Sequence, residues 1–103
     1  MVWTIDARKY KCRLKGMTFE FDPAKSAANR AKHGIDFDEA KELWLGKTVS
    51  ASVDFPGEPR TLVIGKIAGK HWTAVVIERG DNVRLISVRR ARRKEEQMYD
   101  QKS

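Results

Sequence analysis

The chain has 103 residues, with 21 Lys and Arg against 14 Asp and Glu, so its formal net charge is +7. This length allows one small domain, and an apolar fraction of 41% suffices for a compact core and excludes general disorder. A single cysteine, Cys12, excludes an intrachain disulfide framework and a cysteine-rich zinc site. The longest apolar run, residues 74–77, is far too short to span a bilayer, so we expect a soluble cytoplasmic protein without a membrane partner.

The positive charge lies at the two ends of the chain. Residues 1–17 and 84–103 each carry +4, whereas residues 18–83 carry −1. Such an excess favours an anionic partner, and nucleic acid is the leading candidate.

Residues 1–16 show no clean hydrophobic period. We expect them to be a leader, either poorly ordered or a non-native start, with an additional edge strand or a partner-binding arm as the alternatives. Residues 17–103 would then form the single domain. This domain begins with residues 18–21, whose alternating pattern predicts a short strand.

A first helix is predicted from Asp22 and Pro23, because Asp is a preferred N-cap and Pro fits the first helical position. Gly34 is suited to end this helix in the left-handed conformation. Alanines recur at positions i, i+3, i+4 and i+7, so we expect one small-residue face packed closely on a neighbour. These residues are Ala24, Ala27, Ala28 and Ala31.

A second helix is predicted directly afterwards. Asp36 and Glu39 have the spacing of a capping box, and Gly46 provides a stop. The apolar stripe of this helix would be Phe37, Ala40, Leu43 and Trp44. The two helices therefore form a hairpin after the short strand.

From Val49 the period changes to two, which predicts strands. The strand-forming segments are 49–55, with its odd-numbered positions buried, 60–67, 71–78 and 83–88. Their short links predict hairpins, hence an α+β fold with a four-stranded antiparallel meander sheet. A largely solvated C-terminal helix is expected over 90–101, docked through Ala91, Met98 and Tyr99.

The candidate chemistry is restricted by what the sequence lacks. It contains no phosphate-binding glycine loop, no nucleophile elbow and no histidine pair with metal-ligand spacing, so we expect no cofactor and no metal. The remaining toolkit of Arg, Lys, His, Tyr and carboxylates suits a phosphodiester. RNA supplies its own nucleophile, the 2′-hydroxyl, so a protein needs only to position the phosphate, stabilise its charge and move protons.

Lys32 and His33 form the first candidate site. They end the first helix, where His33 is placed either for proton transfer or phosphate contact, or for capping the helix dipole. His71 lies beside a turn, and we interpret it as exposed and incidental.

Arg60 and Arg79 form the second candidate site. They lie on strands expected to be hairpin neighbours, so they would converge at one end of the sheet. Arginines there bind a phosphate or form ordinary surface pairs with Glu58 or Glu78.

The basic run 89–94 is the third candidate. It indicates either an electrostatic surface for nucleic acid or a solvated helix in which Arg92 pairs with Glu96. Trp3, Trp44 and Trp72 are interpreted as packing residues, with base stacking by Trp72 as the alternative.

Three segments resemble the BrnT family of bacterial type II toxins. They are FEFDPAKSAANRAKHGIDFDEA (19–40), EPRTLVIG (58–65) and LISVRRARRKEEQMYD (85–100). The resemblance covers residues 17–100 and implies a RelE-like ribonuclease that halts translation by cutting RNA. The polar signature of the family falls on Lys25, Asn29, Lys32, His33, Glu58, Arg60, Arg79, Ser87, Arg89, Glu95 and Tyr99.

The resemblance also implies partners. A cognate antitoxin would hold the enzyme inactive in a tight complex of two toxins with two antitoxins, and DNA would be bound only through the antitoxin.

Together these observations predict a metal-independent endoribonuclease toxin. Arg60, Arg79 and Arg89 would neutralise the scissile phosphate. His33 beside Lys32 is the first choice for proton transfer and Tyr99 the second, while Glu58 or Glu78 would orient an arginine or act as base. The alternative is a non-catalytic basic module that binds RNA or an acidic partner.

Overall fold

A mixed six-stranded sheet is the frame of the protein in a computed structural model that describes residues 10–14, 16–54 and 56–102. Its strands are β1 (Tyr10–Leu14), β2 (Met17–Phe21), β3 (Val49–Val53), β4 (Arg60–Ile67), β5 (Lys70–Arg79) and β6 (Asn82–Arg90). The helices are α1 (Pro23–His33), α2 (Phe37–Ala40), a 3₁₀ turn (Lys41–Leu45) and α3 (Arg93–Lys102). The predicted α+β class is confirmed.

The predicted four-stranded antiparallel meander is present, but it is only part of a larger, mixed sheet. Strands β3 to β6 do form antiparallel neighbours, but the full order is β1-β2-β6-β5-β4-β3. Strand β2 pairs parallel to β6, with Thr18 opposite Asn82, and β1 pairs antiparallel to β2. No local sequence pattern predicts the parallel pairing of β2 with β6, because the two strands lie far apart in the chain and are joined by a long crossover.

Part of the predicted leader belongs to the sheet. Residues 10–14 form β1 at the sheet edge, which corresponds to the edge-strand alternative. Residues 1–9, including Trp3, lie outside the described residues, as does Phe55 at the end of the predicted strand 49–55.

Helix α1 begins and ends as predicted, but it packs through the other side. Asp22 caps it by accepting the Ala24 N–H at 2.8 Å, and Gly34 ends it at φ 83°. The four alanines are all exposed, so the prediction of a packed alanine face is wrong. The buried residues of the helix are Ser26 and Asn29, which form specific hydrogen bonds.

Asn29 fastens α1 to the free edge of β6. Its Nδ2 donates to the carbonyls of Ile35 (2.7 Å) and Val88 (2.9 Å), and its Oδ1 accepts the Val88 N–H (3.1 Å). Strand β2 pairs only with the first part of β6, so the amide side chain satisfies backbone groups that would otherwise be buried without partners. Hydrogen bonding, rather than small size, therefore decides which face of α1 is buried.

The second predicted helix begins at the expected capping box. Asp36 Oδ1 accepts the Glu39 N–H at 2.7 Å, and the Glu39 side chain accepts the Asp36 N–H. The helix tightens into the 3₁₀ turn after Ala40. Its predicted apolar stripe is buried, and it covers one face of the sheet, which we call the helical face.

The opposite face, here called the open face, is covered at one end by α3. Tyr99 packs there with Val49 and Ile64, and Ala91 and Met98 contact the same cluster, as predicted. Of the described helices, only the start of α3 lies at the other end of this face, where predicted site residues line a cleft.

Candidate active site

An open cleft of about 370 Å³ lies on the open face beside the start of α3. We call it the arginine cleft, and it is lined by Val53, Arg60, Leu62, Val75, Ile86, Ser87, Arg89, Arg92 and Glu95. Its floor is aliphatic and its rim carries three arginines. This combination suits a ligand that joins an apolar group to an anion.

Strand alternation accounts for the floor and for Arg60. Val53 pairs with Arg60 across β3 and β4, and Leu62 pairs with Val75 across β4 and β5, so these four side chains share one face. All four are half-buried, because only the start of α3 lies at this end of the sheet. Arg60 therefore stands at the mouth of β4, as the sequence pattern predicted.

Arg89 is held in the cleft by Glu95. Its Nη1 and Nη2 donate to Glu95 Oε1 and Oε2 at 2.8 and 2.9 Å, a bidentate pair with little exposure on either side. Thr73 Oγ1 also donates to Glu95 Oε1, at 3.0 Å. The pair links the sheet to α3, so the docking of α3 and the orientation of Arg89 depend on each other.

These contacts shift both pKa values away from neutrality. The hydrogen bonds from Arg89, with those from the Arg92 N–H and Thr73, outweigh burial and lower the pKa of Glu95 to about 2. The same pair raises the pKa of Arg89 above its usual value. At neutral pH Glu95 is therefore a carboxylate that positions Arg89 and is no proton donor.

Arg92 enters the cleft because α3 starts there. The Arg92 N–H donates to Glu95 Oε1 at 2.7 Å. Glu95 is the third residue of α3, and its side chain caps Arg92, the residue directly before the helix. This contact places the Arg92 side chain at the rim opposite the sheet. Arg92 lies in the basic run 89–94, but no sequence signal distinguishes it from its neighbours as a site residue.

A β-bulge shapes the remaining wall. The register between β5 and β6 shifts between Val75 and Val76, which pair with Ser87 and Leu85, so Ile86 is the additional residue. As a result two consecutive residues, Ile86 and Ser87, both line the cleft. Ser87 is one of the residues that the family resemblance singled out, but no sequence signal indicates the bulge that orients it.

Lys32 and His33 do not line the arginine cleft. His33 is half-buried and Lys32 exposed at the end of α1. Because His33 follows Asn29 by four residues, it lies on the helix face that contacts the edge of β6. The role of His33 in proton transfer stays a prediction.

Arg79 lies at the same end of the sheet as Arg60, but it is paired elsewhere. Its Nε and Nη2 donate to the Glu58 carboxylate at 2.6–2.9 Å, in an exposed pair outside the cleft. Glu58 thus orients an arginine, whereas Glu78 is exposed. Surface pairs of this kind contribute little to stability.

Tyr99 is a docking residue in this structure. Its hydroxyl donates to the Lys47 carbonyl at 3.1 Å, and its ring packs edge-on against His71 with centroids 5.4 Å apart. His71 is not exposed and incidental as predicted, because its side chain is only 16% exposed and Nε2 lies 3.0 Å from Asp100 Oδ1. The tertiary contact with α3 covers it.

Trp72 lies away from the cleft. It packs against the core of the helical face, and the Arg90 guanidinium lies 5.4 Å from the centroid of its ring. Trp44 is buried in the same core. Trp72 is therefore not placed to stack a base in the arginine cleft.

Comparison with known proteins identifies the class. Residues 21–95 match the family of the ribonuclease toxin BrnT of type II toxin–antitoxin systems, and the chain belongs to this family. No curated protein matches the chain. Within the described ranges, no group of three or more His, Cys, Asp and Glu side chains is placed to hold a metal ion, and no helix is long and apolar enough to cross a membrane.

Proposed function

We propose that this protein is an endoribonuclease toxin that cuts RNA at the arginine cleft without a metal ion. The observation that carries the proposal is the meeting of Arg60, Arg89 and Arg92, from β4, β6 and the start of α3, in one cleft of the open face. Arginines bind phosphate oxygens in bidentate geometry and keep their charge at all physiological pH values. The family membership supports the same activity.

In the proposed reaction, the bonds that form and break around phosphorus all belong to the RNA. The 2′-oxygen attacks the neighbouring phosphorus, the bond from phosphorus to O5′ breaks, and a 2′,3′-cyclic phosphate and a 5′-hydroxyl result. One proton leaves the 2′-hydroxyl and one joins O5′. The arginines stabilise the charge that develops on the phosphoryl oxygens.

Proton transfer is the less constrained part of the proposal. Glu95 is ionised and bound to Arg89, so it serves as a positioning residue. We propose His33, with Lys32 beside it, as the first candidate and Tyr99 as the second, and Arg79 as a further phosphate contact. These residues lie outside the cleft, and proton transfer needs contact with the 2′-hydroxyl or O5′ of the scissile bond, so their participation requires a rearrangement that brings them to the bound RNA.

The proposal includes the partners implied by the family resemblance. RNA cleavage would inhibit translation in the cytoplasm, and a cognate antitoxin would neutralise the toxin in a complex of two toxins with two antitoxins. DNA would be contacted only through the antitoxin. We limit the proposed RelE-like likeness to β3–β6 and α3, because β1 and β2 enlarge the sheet.

The test is cleavage of RNA by the purified protein in the presence of a chelator. Wild-type protein is compared with Arg92→Ala, His33→Ala and Arg79→Ala, and with Lys70→Ala as a basic control outside the cleft. We expect chelator-resistant cleavage that Arg92→Ala reduces strongly. Loss of activity in chelator would contradict metal independence, and full activity and toxicity in both His33→Ala and Arg79→Ala would remove these two residues from the mechanism.

A second candidate function is a non-catalytic RNA-binding module. It is favoured by the state of Glu95, the carboxylate of the described lining: its pKa is about 2 and it is bound to Arg89, so it does not transfer protons near neutrality. The same assay separates the candidates, since retardation of intact RNA without cleavage supports the binding module.

A further inference from the structure

The β-bulge in β6 adds a feature that the phosphate chemistry does not use. Leu85 and Val88 both point into the core of the helical face, and the two residues between them both line the arginine cleft. Regular alternation would turn one of these two residues away. Bulges re-aim side chains next to functional sites, and this one places the Ile86 side chain and the Ser87 hydroxyl side by side.

The wall of the cleft beside Ser87 consists of aliphatic side chains that no other described element fully covers. Val53, Leu62, Val75 and Ile86 line the cleft and are only half-buried, although equivalent residues on the helical face are fully covered. The arginine cleft has a volume of about 370 Å³, which is at the lower end of the range for small-molecule sites. The space therefore suits one small, largely apolar group held next to an anion.

We propose that this wall is a nucleobase subsite and that Ser87 is its specificity-determining residue. The proposal rests on the proposed function and names the part of the RNA that the cleft takes: one nucleotide, with its base on the aliphatic wall and its phosphate at the arginines. An RNA nucleotide combines these two parts at the separation of a ribose. An uncharged apolar ligand would lack the anion that three rim arginines select.

The residues that line the cleft also determine how strongly it discriminates between the four bases. No aromatic side chain is among the described residues that line the cleft, and these residues offer the base aliphatic contact area. In the part of the lining that the structure describes, Ser87 is the neutral polar side chain, beside the charged arginines and Glu95. A hydroxyl both donates and accepts, and one neutral hydrogen bond discriminates by a factor of roughly three to ten. Base preference at the cut site is therefore modest.

Binding of small probes tests the subsite without requiring cleavage. The probes are the four nucleoside 3′-monophosphates, ribose 5-phosphate and inorganic phosphate, titrated into the full chain by calorimetry or amide NMR. We expect at least one nucleotide to bind roughly tenfold or more tightly than phosphate and ribose phosphate, with shifts at Leu62, Val75 and Ile86. Equal affinity for all probes, or shifts confined to the arginines, would overturn the proposal.

Two variants connect the subsite to its residues. Leu62→Ala is expected to remove the advantage of nucleotides over phosphate, whereas Ile77→Ala, on the same face outside the cleft, keeps it. Ser87→Ala is expected to reduce the ratio of affinities between the best and the worst base by about three- to tenfold. The matched control is Ser52→Ala, an exposed serine on β3. An unchanged ratio in Ser87→Ala would overturn the role of Ser87.

The failure of this proposal differs from the failure of the ribonuclease. Base-dependent nucleotide binding without RNA cleavage supports the subsite and contradicts the enzyme. Cleavage with rates that do not depend on the base next to the cut site, together with equal binding of nucleotides and phosphate, supports the enzyme and overturns the subsite. Thermal unfolding of each variant verifies that the compared proteins are folded.

Discussion

The two faces of the sheet are built by the same strands but are completed to different degrees. On the helical face, Phe19, Phe37 and Leu43 are at most 1% exposed, and the core is apolar. On the open face, α3 covers one end through Tyr99, whereas the other end leaves Leu62 and Val75 half-buried below a rim of arginines. The part of the open face that α3 leaves uncovered therefore forms the arginine cleft.

The difference separates stability from proposed function. Burial of large apolar side chains on the helical face supplies most of the hydrophobic driving force. The open face retains apolar surface and charge that folding alone does not require, as expected for a binding region. Substitutions on the two faces should therefore act on different measurable quantities.

The largest expected effect is on the helical face. Phe37→Ala removes a fully buried ring that packs edge-on against Phe21, so we expect a loss of about 3–5 kcal/mol in the free energy of unfolding. Ile77→Ala, at a half-buried position of the open face, is expected to cost less than half as much. Urea unfolding monitored by circular dichroism measures both, and equal losses would contradict the division between the faces.

The next effect concerns activity. Arg60→Ala removes one cation from the cleft, and we expect the rate constant of RNA cleavage to fall about 10²–10³-fold, as when one transition-state donor is removed. The free energy of unfolding should change by less than about 1 kcal/mol. Lys70→Ala, at the opposite end of β4 and β5, is the control in single-turnover assays. A rate within threefold of wild type would exclude Arg60 from the chemistry.

A smaller effect on the free energy of unfolding is expected at Glu95, which links α3 to the sheet. The pKa of Glu95 is about 2 in the folded protein and about 4.3 in an unfolded chain, so its stabilising contribution is complete above pH 5 and is lost as the pH falls towards 2. Glu95→Gln should lose about 2 kcal/mol of unfolding free energy at pH 7, because Arg89 loses its charged partner.

Urea unfolding between pH 2 and pH 7 checks this expectation. The variant should show a flatter dependence on pH than wild type across the acidic range, and the two stabilities should converge near pH 2. Parallel pH profiles would show that Glu95 does not carry this titration.

The smallest effect is expected on the exposed side of α1. Ala28→Lys should change the free energy of unfolding by less than about 0.5 kcal/mol, since the alanine is exposed and Lys is a good helix former. RNA cleavage should not change. A loss above 1.5 kcal/mol would mean that the alanine face is packed after all, as the sequence pattern first suggested.

Local features of the fold were predictable from the sequence. Asp22, Asp36 and Gly34 cap or end helices because side chains and backbone angles within a few residues decide these positions. The hairpins β4–β5 and β5–β6 follow from period-two patterns and short turns. Segment matches also indicated the family, which the comparison with known proteins confirmed.

The candidate site was predictable only in part. Placement of Arg60 and Arg79 at one end of the sheet follows from hairpin pairing, but their separate partners do not. The burial of Asn29 in place of the alanines depends on the free backbone edge at Val88, which exists only after β2 has paired with the start of β6.

What the sequence by itself determined is therefore the set of elements, their caps and the presence of a basic C-terminal region. Only the tertiary structure decided that β2 enters the sheet parallel to β6, that a bulge aims Ile86 and Ser87 into one cleft, and that Glu95 holds Arg89. The physical reason is the separation along the chain of the residues that interact. Caps and turns are settled among neighbouring residues, whereas strand order, register shifts and buried ion pairs are settled by packing between segments far apart in the chain.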